Sequence, residues 1–468
     1  MIEFFYDHTL ISITFVSMLE NQDTICALAT ANGVGAISVI RLSGKKSFEV
    51  TESLFSKSLK DKQSHTVHFG TISSSEGLID EVLVTLFEQG KSYTGEESVE
   101  ISCHGSTFIQ EKIIAALIAN GARMANPGEF TQRAFLNGNL DLSQAEAVAD
   151  LIASQSRSAH DIALKQLRGK FSNELKDLRE QLIHFASLVE LELDFAEEDV
   201  EFADRSELKI LVSNVLAYVR RMAQSFELGN AIKNGVPVAI VGAPNTGKST
   251  LLNQLLGEER AIVSSIEGTT RDVIEETLNI DGIIFRLIDT AGIREGAEEI
   301  EAMGIERSKE KIEQAKIVLC LADGTKPENV AFVKSWVAEL QVTHPYKKII
   351  SVVNKMDIAS IVKEPDSLLI SAKGGDNIEN LKTWLSTSVK GDFNLSDDVI
   401  VSNARHHEAL LKTATSLEQA AHGLETNITA DFVAMDIRQA MHFLGSITGD
   451  ISEDDLLANI FANFCIGK

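Results

Sequence analysis

The chain has 468 residues, 44% of them hydrophobic and 24% charged, with a formal net charge of −25 at pH 7. Those proportions suit a folded protein of about three domains, and the acidic balance excludes nucleic-acid binding through a broad basic surface. No apolar run approaches the roughly 20 residues that span a bilayer, and the four scattered cysteines (Cys26, Cys103, Cys320, Cys465) lack zinc or redox spacing, so reduced thiols in a cytoplasmic protein are expected.

Residues 1–17 contain no Lys or Arg, which fits neither a secretory nor a mitochondrial targeting segment. They are expected to be disordered, with Met18 as an alternative start. The segment 18–137 mixes strand and helix patterns and reads as a small α+β domain. Ala36–Leu42 alternates as a strand and ends at Ser43-Gly44, Val82–Phe87 and Val99–Cys103 read as two more strands, and Gln110–Asn120 reads as a helix closed by Gly121. Asn126-Pro127-Gly128-Glu129-Phe130 is a turn signal.

In 138–234 the pattern changes. From Leu142 to Ala231 there is no Pro, and Leu164, Leu167, Phe171, Leu175, Leu178 and Leu182 recur at helical spacing. A stack of long helices is expected, and the acidic stretch Glu190–Glu201 reads as a solvated helix end rather than a metal site.

The segment 235–390 carries the chemistry. A β-branched run (Val236, Val238, Ile240, Val241) ends at Gly242, and Gly242-x-x-x-x-Gly247-Lys248-Ser249 follows. This is a complete phosphate-binding loop, placed after a strand and before a helix start. Its backbone N–H groups and the helix N-terminus favour phosphate oxygens. Lys248 should reach the β- and γ-phosphates and Ser249 should ligate Mg²⁺; the loop contributes Asn245, Thr246, Gly247, Lys248, Ser249 and Thr250. A second apolar run ends in Asp289-Thr290-Ala291-Gly292, whose Asp suits the Mg²⁺ shell and whose Gly292 N–H can sense a γ-phosphate. A third ends in Asn354-Lys355-x-Asp357, the guanine-reading pattern, because a carboxylate accepts from both guanine N1–H and the exocyclic amine. Ser371-Ala372-Lys373 follows Leu368–Ile370 and suits a loop closing over the base. Four motifs in this order, each at the carboxyl end of an expected strand, point to a GTPase.

After Gly391 helical periodicity resumes at Ala409–Leu424 and Val433–Leu444. The expected fold class is therefore multidomain α+β and α/β. It comprises a small α+β N-terminal domain (18–137), a discontinuous all-α helical domain (138–234 and 391–468), and an inserted Ras-like P-loop GTPase domain (235–390).

Outside the nucleotide motifs, Tyr93-Thr94-Gly95-Glu96-Glu97 with Glu100, Cys103-His104-Gly105, Pro127–Thr131, Arg133–Asn137 and the terminal Phe464-Cys465-Ile466-Gly467-Lys468 resemble the MnmE (TrmE) family of tRNA-modification GTPases. The resemblance runs from Asp23 to Lys468. It implies a homodimer that works with the flavoprotein MnmG on C5 of the wobble uridine of certain tRNAs. It also implies a 5-formyl-tetrahydrofolate (or related one-carbon folate) site formed by Arg41, Glu100, Asn139 and Lys468. Asn139 stands where the family usually has Lys, and Ser106 where it usually has Gly.

The position after Asp-x-x-Gly, a Gln in Ras-like proteins, is Ile293 here, so water must be oriented otherwise. By resemblance the catalytic groups are Glu301 and Lys248, and K⁺ takes the place of an arginine finger. K⁺ would be held by Asn245 and by carbonyls of switch I at Ser264, Ile266 and Thr269. Switch I, Ser264-Ser265-Ile266-Glu267-Gly268-Thr269-Thr270, would also supply Thr270 to Mg²⁺, with Thr269 as the alternative. Cys465, His104 and His406-His407 read as structural or surface residues rather than catalytic ones. A regulatory or ribosome-assembly GTPase is the competing function, and a purely dimerising N-terminal domain is a third reading.

Overall fold

The computed structural model describes residues 23–194, 205–259, 276–288, 309–359 and 364–391, and beyond these 393, 395, 398–426, 428–451, 457, 460–462, 464 and 467. The chain divides into two compact units, Met1–Ala149 with Gly445–Lys468, and Asp150–Leu444.

The first unit is built on a six-stranded sheet of order β3-β4-β5-β2-β1-β6, with β1 Thr24–Leu28, β2 Ile37–Ser43, β3 Val67–Ser74, β4 Gly77–Phe87, β5 Ser98–His104 and β6 Ala122–Met124. Alternation decides its two faces, since successive side chains in a strand point oppositely. Ile40, Leu42, Val82, Val84, Leu86, Val99 and Ile101 pack with Val50, Leu54, Ile113 and Leu117 of the helices Ser47–Leu54 and Thr107–Ala119. The opposite face carries Arg41, Thr85 and Glu100, which the register of β2, β5 and β4 places side by side. On that face Phe130, from the helix Glu129–Leu136, packs with Ile25 and Ala27 of β1.

Residues 445–468, which the sequence pattern groups with the helical domain, belong to this unit. Phe461 and Leu457 pack with Leu142 and Ala145. Gly128, at φ +67°, has the Phe461 carbonyl only 2.5 Å from where a Cβ would stand, and at Gly467 the Leu28 carbonyl would be 2.1 Å away. Neither position admits a side chain.

The second unit contains a six-stranded sheet of order β12-β11-β10-β7-β9-β8, with β7 Val236–Gly242, β8 Glu276–Ile280, β9 Ile283–Leu287, β10 Ile317–Asp323, β11 Lys348–Asn354 and β12 Ser367–Leu369. Only β8 is antiparallel to its neighbour. Helices cover both faces, as a parallel sheet requires. Leu251 and Leu255 (helix Lys248–Glu259) with Leu381 and Leu385 (helix Ile378–Lys390) bury one face, and Val330, Val333 and Val337 (helix Pro327–Thr343) the other. The unit also holds long helices, among them Lys170–Asp194, Arg205–Gln224 and Ala404–Glu425, and the last two pack against each other. Two helix starts in this unit carry side-chain caps: Ser156 Oγ accepts from Ala159 N at 3.1 Å before the helix Arg157–Leu167, and Asn403 Oδ1 accepts from Arg405 N at 2.9 Å before Ala404–Glu425. Side chains of the acidic stretch Glu190–Glu201 lie outside the described residues.

Candidate functional site

The carboxyl ends of β7, β10, β11 and β12 form one edge. Parallel register aligns Leu321 with Gly242 and Asp323 with Asn354. From β7 the chain turns through Gly242 (φ +150°), Asn245 (φ +59°) and Gly247 (φ +96°) into the helix Lys248–Glu259. Three positive φ values within six residues make a tight turn, compatible with a nest of backbone N–H groups for an anion. The Lys248 ammonium donates to the carbonyls of Gly242 and Ala243 at 2.8 and 2.9 Å, so it lies over the loop. Thr246 is buried, whereas Asn245, Ser249 and Thr250 are exposed.

Asn354, 2% exposed, joins the loops. Its Nδ2 donates to the Thr246 carbonyl at 2.9 Å, and its Oδ1 accepts from Ala372 N at 2.9 Å. One carboxamide thus links the phosphate loop to Ser371-Ala372-Lys373. A Cβ at Gly247 would stand 2.2 Å from Asn354 Nδ2, which is why this clasp needs glycine. Ser371 Oγ donates to Asp357 Oδ1 at 2.8 Å, leaving the exposed Asp357 carboxylate oriented by the loop beside it.

Lys355 pairs with a residue that the sequence pattern does not single out. Its Nζ lies 2.7 Å from Asp323 Oδ2, at the end of β10. Burial alone would raise the Asp323 pKa, but hydrogen bonds from Lys355 and Thr325 outweigh it and hold the carboxyl down at about 2. An apolar run ending in Asp-Gly was the available signal, and periodicity does not distinguish so continuous a run from a buried helix.

Of the remaining candidates, Ser264–Thr270, Asp289–Gly292, Glu301, Cys465 and Lys468 lie outside the described residues. Among the described residues no group of three His, Cys, Asp or Glu could hold a metal ion.

In the first unit Arg41 forms a two-nitrogen ion pair with Glu100, 2.8 and 3.0 Å to the same Oε1. Its guanidinium carbon stands 5.6 Å from the Tyr93 ring centroid and 5.8 Å from that of Phe130. Asn139 Nδ2 donates to the carbonyls of Ser92 and Tyr93 at 3.2 and 3.1 Å. Three predicted folate residues thus meet around Tyr93. The loop bearing Tyr93 is pinned by Asn137 Nδ2, which donates to Thr94 O at 2.7 Å, and by Glu96, which accepts from Ser43 Oγ at 2.7 Å and pairs with buried Arg133 at 3.1 Å. Gly467 reaches the end of β1 at Leu28, which pairs with Ile40, the residue before Arg41.

Residues 24–139 match the family described as the N-terminus of the GTP-binding protein TrmE, and residues 142–465 that described as the MnmE helical domain. A relative from Flavobacterium johnsoniae called tRNA modification GTPase MnmE is 52% identical over 466 residues, covering 96% of this chain and 100% of its own. Another of the same name from Cytophaga hutchinsonii is 50% identical over 456 residues, covering 97% and 99%. The chain belongs to the MnmE family of tRNA modification GTPases. Among solved structures, the G domain of the T. maritima FeoB iron transporter aligns with 32% of this chain and 96% of its own, at 22% identity and a TM-score of 0.24.

In this MnmE chain the described cysteines are inert. Cys26, Cys103 and Cys320 are buried free thiols, and burial pushes Cys26 and Cys103 up to about 11 and Cys320 to about 12. Of the histidines singled out, His104 Nδ1 pairs with buried Asp80 at 2.7 Å, His406 lies against Phe171, and His407 stacks on Phe226 at 4.3 Å.

Proposed function

We propose that this MnmE chain hydrolyses GTP as part of a homodimeric tRNA-modifying enzyme. With the flavoprotein MnmG it adds a carboxymethylaminomethyl or aminomethyl group at C5 of the wobble uridine of certain tRNAs, in the cytoplasm. The observation that carries the reading is the Asn354 clasp, which holds a phosphate loop and a base-reading loop together through one buried carboxamide. Family matches on both flanks of the nucleotide domain favour tRNA modification over ribosome assembly. Among the described residues no helix is long and apolar enough to cross a membrane.

In this reading the loop N–H groups and Lys248 neutralise the β- and γ-phosphates, which is most of what phosphoryl transfer to water asks of a protein. The exposed Ser249 hydroxyl, a hard oxygen donor at a helix N-terminus, fits Mg²⁺ and would share it with Thr270 and Asp289. Mg²⁺ supplies charge neutralisation between the two phosphates. Asn245 presents a neutral side-chain oxygen on the loop, suited to K⁺ together with carbonyls of Ser264, Ile266 and Thr269. Glu301 orients water. In the first unit, an arginine flanked by two aromatic rings suits an anionic, aromatic ligand such as 5-formyl-tetrahydrofolate, with Glu100, Asn139 and Lys468 completing that site.

Two measurements test the proposal. K⁺ should accelerate GTP hydrolysis well beyond Na⁺ at matched ionic strength, and Asn245→Ala should remove most of the difference. Mass spectrometry of tRNA from cells lacking the protein should show unmodified wobble uridines. Intact wobble modification would sink the tRNA assignment, and equal rates in the two salts would sink the K⁺ role alone.

A further inference from the structure

We propose that Asp323 is a positioning residue for base selection: it anchors Lys355 so that Asn354 and Asp357, on either side, are presented to guanine. The proposal rests on reading this site as guanine-specific and deepens it by adding a determinant from a different strand.

The end of β10 is built to hold the loop at the end of β11. Asp323 and Asn354 are register partners, and Gly324 N donates to the Asn354 carbonyl at 2.8 Å. The approach is close enough that a Cβ at Gly324 would stand 2.7 Å from that carbonyl oxygen. Both carboxylate oxygens of Asp323 are committed. Oδ2 meets Lys355 Nζ at 2.7 Å, while Oδ1 accepts from Thr325 N at 3.0 Å and from Thr325 Oγ1 at 2.6 Å. Its own N–H donates to Asn329 Oδ1 at 2.8 Å. The carboxylate therefore has one orientation, and the ammonium follows it.

What it holds is a backbone that resists being held. Lys355 has φ +67°, a left-handed conformation that a lysine adopts only where its surroundings impose it. Relaxing that residue would rotate the peptides on both sides and swing Asp357 relative to Asn354. An exposed Lys–Asp pair would contribute little, but here the Asp323 side chain is 8% exposed and the pair joins two loop backbones. Phosphate binding depends on the β7 loop, so the predicted signature is a loss of base selection with turnover retained.

The test uses the full-length protein. Kd for GDP and IDP is measured by competition with a fluorescent guanine nucleotide, alongside KM and kcat for GTP. IDP lacks the exocyclic amine, so the GDP:IDP preference reads the Asp357 contact. Asp323→Asn keeps an acceptor for Thr325 and loses the charge facing Lys355. It should raise the GDP Kd about tenfold, the worth of one charge-assisted hydrogen bond, cut the GDP:IDP preference about threefold, and leave kcat within about twofold. Thr325→Val, which removes only the hydroxyl that orients the carboxylate, should show the same pattern at about threefold and carries the test if Asp323→Asn does not fold. An unchanged GDP Kd and GDP:IDP preference would overturn the proposal. So would equal losses for GDP and IDP with a parallel fall in kcat, the mark of general loosening. A parent protein that binds ADP as tightly as GDP would overturn the guanine reading and this proposal with it.

Discussion

Replacing Asn354 by Ala tests the clasp directly. The carboxamide is 2% exposed and makes two hydrogen bonds of 2.9 Å, to the Thr246 carbonyl and from Ala372 N. Alanine removes both and strands a carbonyl and an N–H in a dry place. A lost bond with a stranded buried partner costs about 1–3 kcal/mol, so the pair should cost about 3 kcal/mol. The two tryptophans of the chain, Trp336 and Trp384, pack on opposite faces of the sheet that carries the site, so intrinsic fluorescence reports its unfolding. With an m value of about 3 kcal/mol per molar urea, the midpoint should fall by about 1 M. Asn354→Asp is the sharper companion. It keeps the acceptor for Ala372 N but turns a carboxylate oxygen toward the Thr246 carbonyl, so it should be at least as damaging despite its nearly identical shape. A midpoint shift below about 0.3 M in both variants would refute the clasp as a stabilising element.

Asp357→Asn should shift preference from guanine toward xanthine nucleotides, because an amide donates to the xanthine 2-oxo group; competition binding that shows unchanged preference would count against its role. Glu301→Ala should lower kcat for GTP while leaving affinity nearly intact, since a water-orienting group acts in the transition state; an unchanged kcat returns Glu301 to a solvated helical residue. Asp323 gives a pH dependence of definite sign. Its carboxyl is held at about 2 against the ordinary 3.8, so its stabilising contribution is complete above pH ~4 and disappears as pH falls through about 2. The difference in unfolding free energy between parent and Asp323→Asn should shrink by about 2 kcal/mol over that window, and a difference that grows on acidification would contradict the ion pair.

Much of the nucleotide edge is legible in the sequence because β7, β11 and β12 each lead into a nucleotide-binding motif. Val236–Gly242 and Lys348–Asn354 are β-branched runs closed by polar or glycine residues, and they form β7 and β11. Ala36–Leu42 and Val99–Cys103 are displaced by a residue or less from β2 and β5, since alternation marks a half-buried strand well but not its ends. Two things escape. Ile317–Asp323 is buried at every position and shows no periodicity, so neither β10 nor Asp323 stands out. The docking of Phe461 and Gly467 is also hidden, because an apolar residue in the sequence does not name its partner; the cost of a Cβ at Gly128 and Gly467 appears only once the backbones meet.

The distance in sequence between the parts of the site explains what specifies it. Thr246 and Asn354 are 108 residues apart, and Asn354 and Ala372 are 18 apart. No local propensity brings them within hydrogen-bond reach. What does so is the register of β7, β10 and β11, and that register is fixed by apolar side chains far from any phosphate. Val352 and Val353 are both fully buried, one in the core on each face of the sheet. A slip of β11 by one residue would exchange those faces and set Asn354 beside Ala322 rather than Asp323. The clasp to Thr246, the Gly324 bond and the Lys355 anchor would then be lost together. The proposed base selection thus depends on the core as well as on the loops, because packing of β11 on both faces holds the alignment in which four strand ends meet.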